Sequence, residues 1–174
     1  SKILSRIFTE IIQEFNWPKS MYWGDNYSLR WVRPLRSIIA VLFQNEARER
    51  VPMIVRDIDS DIVTRAHHVM HPEFFEFYSI DDYREKMLKG KVILQPMDRK
   101  KRIMQEGKKQ AEARGFDLVE GDKLLDEIAG LTEFPIPILG EIPKELLLIP
   151  EEVIITSMRE HQKFLSLRSS ASGK

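Results

Sequence analysis

The sequence predicts an α+β fold with α/β character, a mixed β-sheet with helices packed on it. Three observations carry that reading. Ile3, Leu4, Ile7, Ile11, Ile12 and Phe15 recur at helical spacing, so residues 2–15 form an amphipathic helix. A second long helix runs from Asp98 to about Arg114, opened by Pro96 and closed by Gly115. Around these lie apolar, β-branched runs of strand length: Ser37–Phe43, Val51–Val55, Lys91–Leu94 and Phe116–Val119.

Composition bounds the rest. The chain has 174 residues, 43% hydrophobic and 31% charged, which suits a globular protein with a core and argues against disorder. Lys and Arg (27) balance Asp and Glu (27), so no global field draws nucleic acid, and any RNA contact must come from a local patch. The absence of cysteine excludes disulfides and cysteine-ligated metals. No run approaches the roughly 20 apolar residues of a membrane span, and no signal-peptide pattern is present. The chain opens S-K-I-L without Met and closes S-S-A-S-G-K, which reads as an internal piece of a longer chain. The expected organisation is a linking helix (1–17), one α+β domain (18–168) and a polar tail or loop (169–174).

In chain order, Asn16-Trp17-Pro18 stops the first helix, whose apolar stripe is expected to pack on a neighbouring core. Met21-Tyr22-Trp23-Gly24 leads to a turn at Gly24-Asp25-Asn26, and Leu29 to Arg33 reads as an edge strand ended by Pro34. Ser37–Phe43 reads as a buried strand, though a buried helical turn fits the same run; Gln44-Asn45-Glu46 is a turn signal, and Pro52 weakens the returning strand at 51–55. Arg56–Asp61 reads as a solvated loop, since its carboxylates lack the spacing and terminal Glu of a calcium loop. His67 and His71 are spaced i, i+4 as zinc ligands would be. No Glu follows His67, however, and Pro72 breaks any helix, so no metal site is expected. Ser79 caps a helix ending at Gly90. The helix from Asp98 carries Arg99, Lys100, Lys101, Arg102, Lys108, Lys109 and Arg114 with few apolar positions. It therefore reads as largely solvated, a charged face that could also hold phosphates. Asp122 can cap a helix over Leu124–Leu131, Ile136–Leu139 reads as a strand interrupted by Pro137, and Glu145–Leu148 is a short apolar turn.

The run Ile149–Leu167 is the most informative. Pro150 suits the first helical position, and Glu151 and Glu152 suit the positive end of the helix dipole. Val153, Ile154 and Met158 share a face expected to be buried. Arg159, His161, Gln162 and Lys163 crowd the last turn, before Phe164–Leu167 alternates as a short strand. Cations belong at a helix C-terminus for dipole reasons alone, worth about 0.3–1 kcal/mol each. Held between helix and strand, the four can also act as a set, with Arg159 gripping either a phosphate or an internal carboxylate such as Glu133.

Five motifs, in order, carry a family resemblance. Met21-Tyr22-Trp23-Gly24 resembles M-R-W-G, Trp31 to Arg36 resembles F-V-R-P-I-R, and Thr64-Arg65-Ala66-His67 resembles T-R-G-H. Leu131 to Pro135 resembles L-V-E-W-P, and Met158 to Phe164 resembles M-R-x-H-Q-K-Y-F. All five are similar to the beta subunit of the bacterial, heterotetrameric glycyl-tRNA synthetase, over about Trp17 to Leu167. The departures are Tyr22 for Arg, Ala66 for Gly, His68 for Arg, Phe134 for Trp, and Phe164-Leu165 for Tyr-Phe. The region also resembles the editing-type domain of the phenylalanyl-tRNA synthetase beta chain.

The resemblance implies a division of labour. The alpha subunit or domain carries aminoacylation, the whole enzyme uses ATP and Mg, and this stretch binds no cofactor of its own. The implied role is an accessory, tRNA-contacting part of glycine–tRNA ligase in a bacterial cytoplasm, with an organellar homologue also admitted. Its partners would be glycine tRNA and the alpha subunit, with no DNA and no membrane. No Gly-rich phosphate loop, nucleophile–base pair or placed carboxylate pair is present, so no catalytic residue is expected. The tRNA-binding candidates are Arg33, Arg36, Arg65, Lys100, Lys101, Lys108, Arg159, His161, Gln162 and Lys163. The alternatives are a structural module at a subunit interface and an editing hydrolase.

Overall fold

The apolar positions gather into separate cores. In a computed structural model describing residues 2–23, 29–45, 47–119 and 121–171, the chain divides into two compact units, Ser1–Gly90 and Lys91–Lys174. The fold is α+β, with five α-helices among the described residues and the strands distributed over several small sheets. The predicted turn at Gly24–Asn26 lies outside the described residues.

The first unit runs α1 (Lys2–Glu14), β1 (Met21–Trp23), β2 (Leu29–Trp31), β3 (Ile38–Ile39), β4 (Val41–Gln44), β5 (Ala47–Arg50), β6 (Ile54–Val55), β7 (Ile58–Asp61), β8 (Val63–Arg65), β9 (Phe74–Glu76) and α2 (Ile80–Lys89). The apolar run at 37–43 is divided at Ala40. Before it β3 pairs parallel with β7, and after it β4 pairs antiparallel with β5. Ala40 serves both sides, its N–H donating to the Asp61 carbonyl (3.3 Å) and its carbonyl accepting from Val51 N–H (2.8 Å). Residues 56–61, read as a solvated loop, instead form a hairpin with β6, turning at Arg56 with φ 62°. Asp59 and Asp61 are exposed while Ser60 between them is buried. The period-two alternation of a strand was therefore present, but its inward residue is polar. Ser60 Oγ donates to the Val51 carbonyl (2.8 Å) and accepts from Met53 N–H (3.0 Å), satisfying backbone groups beside buried Val51, Met53 and Val55.

Helix α2 starts at Ser79, whose Oγ accepts from Asp82 N–H (3.0 Å). Asp82 Oδ2 accepts from Tyr78 N–H (2.8 Å) and from Lys86 Nζ (2.9 Å). This is a variant of the capping box. The helix ends at Gly90, where nothing larger than glycine fits: a Cβ there would lie 2.1 Å from Ala66 Cβ and 3.1 Å from the Lys86 carbonyl oxygen.

The second unit runs α3 (Pro96–Glu112), β10 (Phe116–Leu118), α4 (Asp122–Leu131), a 3₁₀ turn (Lys144–Leu148), α5 (Glu151–Thr156), a π-helical turn (Ser157–Gln162) and β11 (Leu167–Ser169). Ile103 of α3 packs with Leu125 and Ala129 of α4, joined by Met104, Ile128 and Leu165. β10 and β11 pair antiparallel, Phe116 opposite Ser169 and Leu118 opposite Leu167. The terminal strand thus starts three residues beyond its predicted start at Phe164.

Two predicted strands are absent among the described residues. Lys91–Leu94 is irregular, tied by Ile93 N–H to the Glu133 carbonyl (2.9 Å). Ile136–Leu139 is irregular because Pro135 and Pro137 remove alternate ladder donors. Their carbonyls are taken by α3 side chains instead, Arg102 Nε to Pro135 (2.9 Å) and Gln110 Nε2 to Pro137 (2.9 Å). Helix α3 is accordingly not the largely solvated rod its composition suggests. Ile103 and Ala111 are buried. Arg99 Nε donates to the Ala129 carbonyl (2.7 Å), its Nη1 to that of Ile93 (2.6 Å), and Arg102 stacks 4.3 Å over Phe134. No helix among the described residues is long and apolar enough to cross a membrane.

Candidate functional site

The stretch 157–163 has an uncommon local geometry. The helix widens to π spacing over Ser157–Gln162, and Lys163 adopts left-handed φ 58°, ψ 36°. Both Lys163 N–H and Phe164 N–H (3.0 Å) donate to the Met158 carbonyl, closing the turn. A non-glycine residue in the left-handed region costs of order 1–3 kcal/mol, and π segments are frequent at functional sites.

Arg159 and Lys163, four residues apart, project to the same side. With Gly121, Lys123, Glu127 and Glu160 they line a cleft of about 280 Å³ at the start of α4. Gly121, not Asp122, occupies the cap position, and no side chain bonds there. The Arg159 guanidinium lies over Gly121, where a Cβ would sit 3.9–4.0 Å from its atoms. Lys163 Nζ pairs with Glu127 Oε2 at 3.0 Å. Arg159 is half-buried, yet among the described residues no carboxylate pairs with it, so Glu133 is not its partner. Asp122 lines the cleft as well, so three carboxylates (Asp122, Glu127, Glu160) face three cations (Lys123, Arg159, Lys163), and among the described residues Arg159 is there a guanidinium without an ion pair, a group suited to planar or tetrahedral anions.

The remaining candidates scatter. His161 and Gln162 are exposed and do not line the cleft. Lys100 turns inward to Asp126 (2.6 Å) with its side chain 17% exposed, Lys101 is exposed 3.8 Å from Asp98, and Lys108 is exposed with a partner of its own. In the first unit Arg65 is exposed, 5.7 Å from the Phe74 ring, and Arg33 and Arg36 are exposed after β2. Among the described residues no group of His, Asp and Glu is placed to hold a metal ion. His67 Nδ1 instead accepts from Met70 N–H (3.1 Å).

Sequence reasoning missed Gly121, Lys123 and Glu127. A glycine directly before a helix, 38 positions ahead of an Arg, carries no signal of contact. It also overestimated α5: Val153 is 56% exposed, and no α5 residue is buried.

Comparison with known proteins agrees with the motifs. The family model described as glycyl-tRNA synthetase beta subunit matches residues 1–174. The glycine–tRNA ligase beta subunit of Dinoroseobacter shibae is 42% identical over the whole chain, and that of Paracoccus denitrificans 40%. That of Rickettsia canadensis is 36% identical over 98% of it. The chain spans about a quarter of the length of these curated relatives. With a family model matched from end to end and relatives at this identity, the chain belongs to the glycyl-tRNA synthetase beta subunit family.

Proposed function

We propose that this chain serves a glycine–tRNA ligase as an accessory, tRNA-contacting part, with ATP- and Mg-dependent charging carried out on an alpha subunit or domain. The observation that carries the reading is Arg159, half-buried, held over Gly121 and without a carboxylate partner among the described residues. In a chain of balanced charge, an oriented guanidinium opening on a cleft is suited to a phosphate oxygen pair. The other exposed cations named above would add weaker, non-specific contacts.

Arg159→Ala in the complete ligase tests this. Thermal stability should stay within about 0.5 kcal/mol of wild type, as for a side chain without an internal partner. The kcat/KM for tRNA should fall about tenfold to a hundredfold, the loss of one charge-assisted contact. A loss of about 1–3 kcal/mol of stability with unchanged charging per folded enzyme would make Arg159 a brace instead.

A second reading, a module at a subunit interface, is favoured by one feature. Around the 3₁₀ turn the chain exposes Leu147 (62%), Leu148 (88%) and Val153 (56%), after Ile138 (89%) in the preceding segment. Such density suits a protein partner, an alpha subunit among the choices. Leu148→Glu should then weaken subunit association without changing tRNA affinity.

A further inference from the structure

In the first unit β1 and β2 form an antiparallel pair whose two faces differ around Trp31 and Tyr22. Met21 pairs with Trp31 and Tyr22 with Arg30, so alternation sets Trp31 on one face, and Tyr22 and Arg30 on the other. On the first face the Trp31 ring is packed while Met21 opposite it is 62% exposed: Trp31 meets Trp17 edge-on at 5.0 Å and Phe15 at 6.3 Å, and its carbonyl accepts from Trp23 Nε1 (3.0 Å). The second is open. Tyr22 is 59% exposed, and directly across from it the Arg30 guanidinium is steadied by Nε donating to Ser20 Oγ (2.8 Å).

The chain segment that carries this face holds several cations. In the unit Arg6, Arg48, Arg50, Arg84, Lys86 and Lys89 each pair with a carboxylate, whereas among the described residues Lys2, Arg56 and Arg65 do not. Lys19, Arg30, Arg33 and Arg36 are all exposed, and among the described residues none of them has a carboxylate partner. An exposed phenol ring beside an oriented guanidinium, with further uncompensated cations along the same chain segment, has the chemistry that binds unpaired nucleotides. The ring stacks on a base, the guanidinium stacks or bonds its edge, and the cations follow the phosphates.

We propose that the face of the paired strands β1 and β2 that carries Tyr22 and Arg30 is a stacking platform for a single-stranded segment of RNA, with Tyr22 as the base-stacking residue and Arg30 as its partner. The proposal rests on the reading that this chain contacts tRNA. It sharpens that reading by placing unpaired nucleotides, rather than duplex, on the first unit.

The test titrates the complete ligase with a short unstructured oligoribonucleotide and with a blunt RNA duplex, following binding by fluorescence anisotropy. Tyr22→Leu should weaken the single strand roughly tenfold to a hundredfold, Tyr22→Trp should retain it, and neither should alter duplex binding. Arg30→Gln should weaken the single strand by a smaller factor. Trp17, Trp23 and Trp31 emission reports whether the strand pair is intact in each variant. Single-strand binding unchanged in a folded Tyr22→Leu enzyme overturns the platform, and so does a variant that instead loses a protein subunit. If tRNA binding is lost in Arg159→Ala while Tyr22→Leu behaves as wild type, the tRNA reading survives and the platform does not. A wild-type enzyme whose tRNA binding neither variant affects removes both.

Discussion

Segment 51–61 and the α3–α4 pair are each the centre of a unit, and they are held by opposite means. In the first, a buried hydroxyl stands between two strands and bonds two backbone groups, so Ser60 organises the apolar residues around it. In the second, Ile103, Leu125 and Ala129 meet directly, and the polar work is moved outward. There Arg99, Arg102 and Gln110 reach from α3 to carbonyls, and Lys100 reaches Asp126. One unit depends on a polar group inside; the other depends on apolar volume inside and polar clamps at its margin.

That contrast predicts different sensitivities. Leu125→Ala should cost the second unit about 2–5 kcal/mol, because a 7% exposed leucine is removed from a packed pair of helices. Hydrogen exchange should report the loss across residues 96–131. A cost under about 1 kcal/mol would mean that the clamps, and not the apolar contact, hold α3 to α4.

The mirror experiment is Ser60→Ala, which changes almost no volume. It leaves the Val51 carbonyl and Met53 N–H without that partner inside the core, at about 1–3 kcal/mol. Exchange should accelerate at residues 51–61, and Ser60→Thr would disturb packing instead of bonding. If Ser60→Ala is neutral, the first unit is held by Val51, Met53 and Val55 alone, and the contrast between the units disappears.

The same contrast explains what the sequence revealed. Patterns written in apolar spacing, as in α1 and α4, or in end signals, as in α2 and α3, were readable: all four helices lie within a few residues of their predicted bounds. Patterns whose inward residue is polar were not, and I-D-S-D passed for a loop because serine carries no hydrophobic signal. Strands whose hydrogen-bonding is taken over by side chains failed too, as at 136–139, since composition shows apolar residues but not the missing donors. Ala66 in T-R-A-H illustrates a third case. Its meaning, a close approach that excludes a Cβ at Gly90, lies 24 residues away and exists only after folding. The Arg159 corner was legible as a cluster, while its division into a cleft-lining pair and an outward pair required the π turn.

The smallest effect concerns the outer edge of the first unit, where polar groups act in solvent rather than in the core. The Asp82 carboxyl is held below its ordinary value of 3.8, chiefly by the hydrogen bond from Lys86 and then by that from Tyr78 N–H. A carboxylate lowered on folding stabilises the folded state fully above its unfolded pKa, and the contribution is lost as pH falls through the lowered, folded value. Asp82→Asn keeps an oxygen for Tyr78 N–H but removes the charge that Lys86 pairs with. Melting temperatures of the two proteins should therefore differ slightly at neutral pH, with wild type higher, and converge as the acid limb is descended below about pH 4. Because the pair is partly open to water, added salt should narrow the neutral-pH gap as well. A gap that stays constant from neutral to acid pH would show that the aspartate acts only as a neutral cap. Polar margin and polar core would then differ only in degree: Ser60 would matter through bonds alone, and the margin through bonds alone too, with no electrostatic component to separate them.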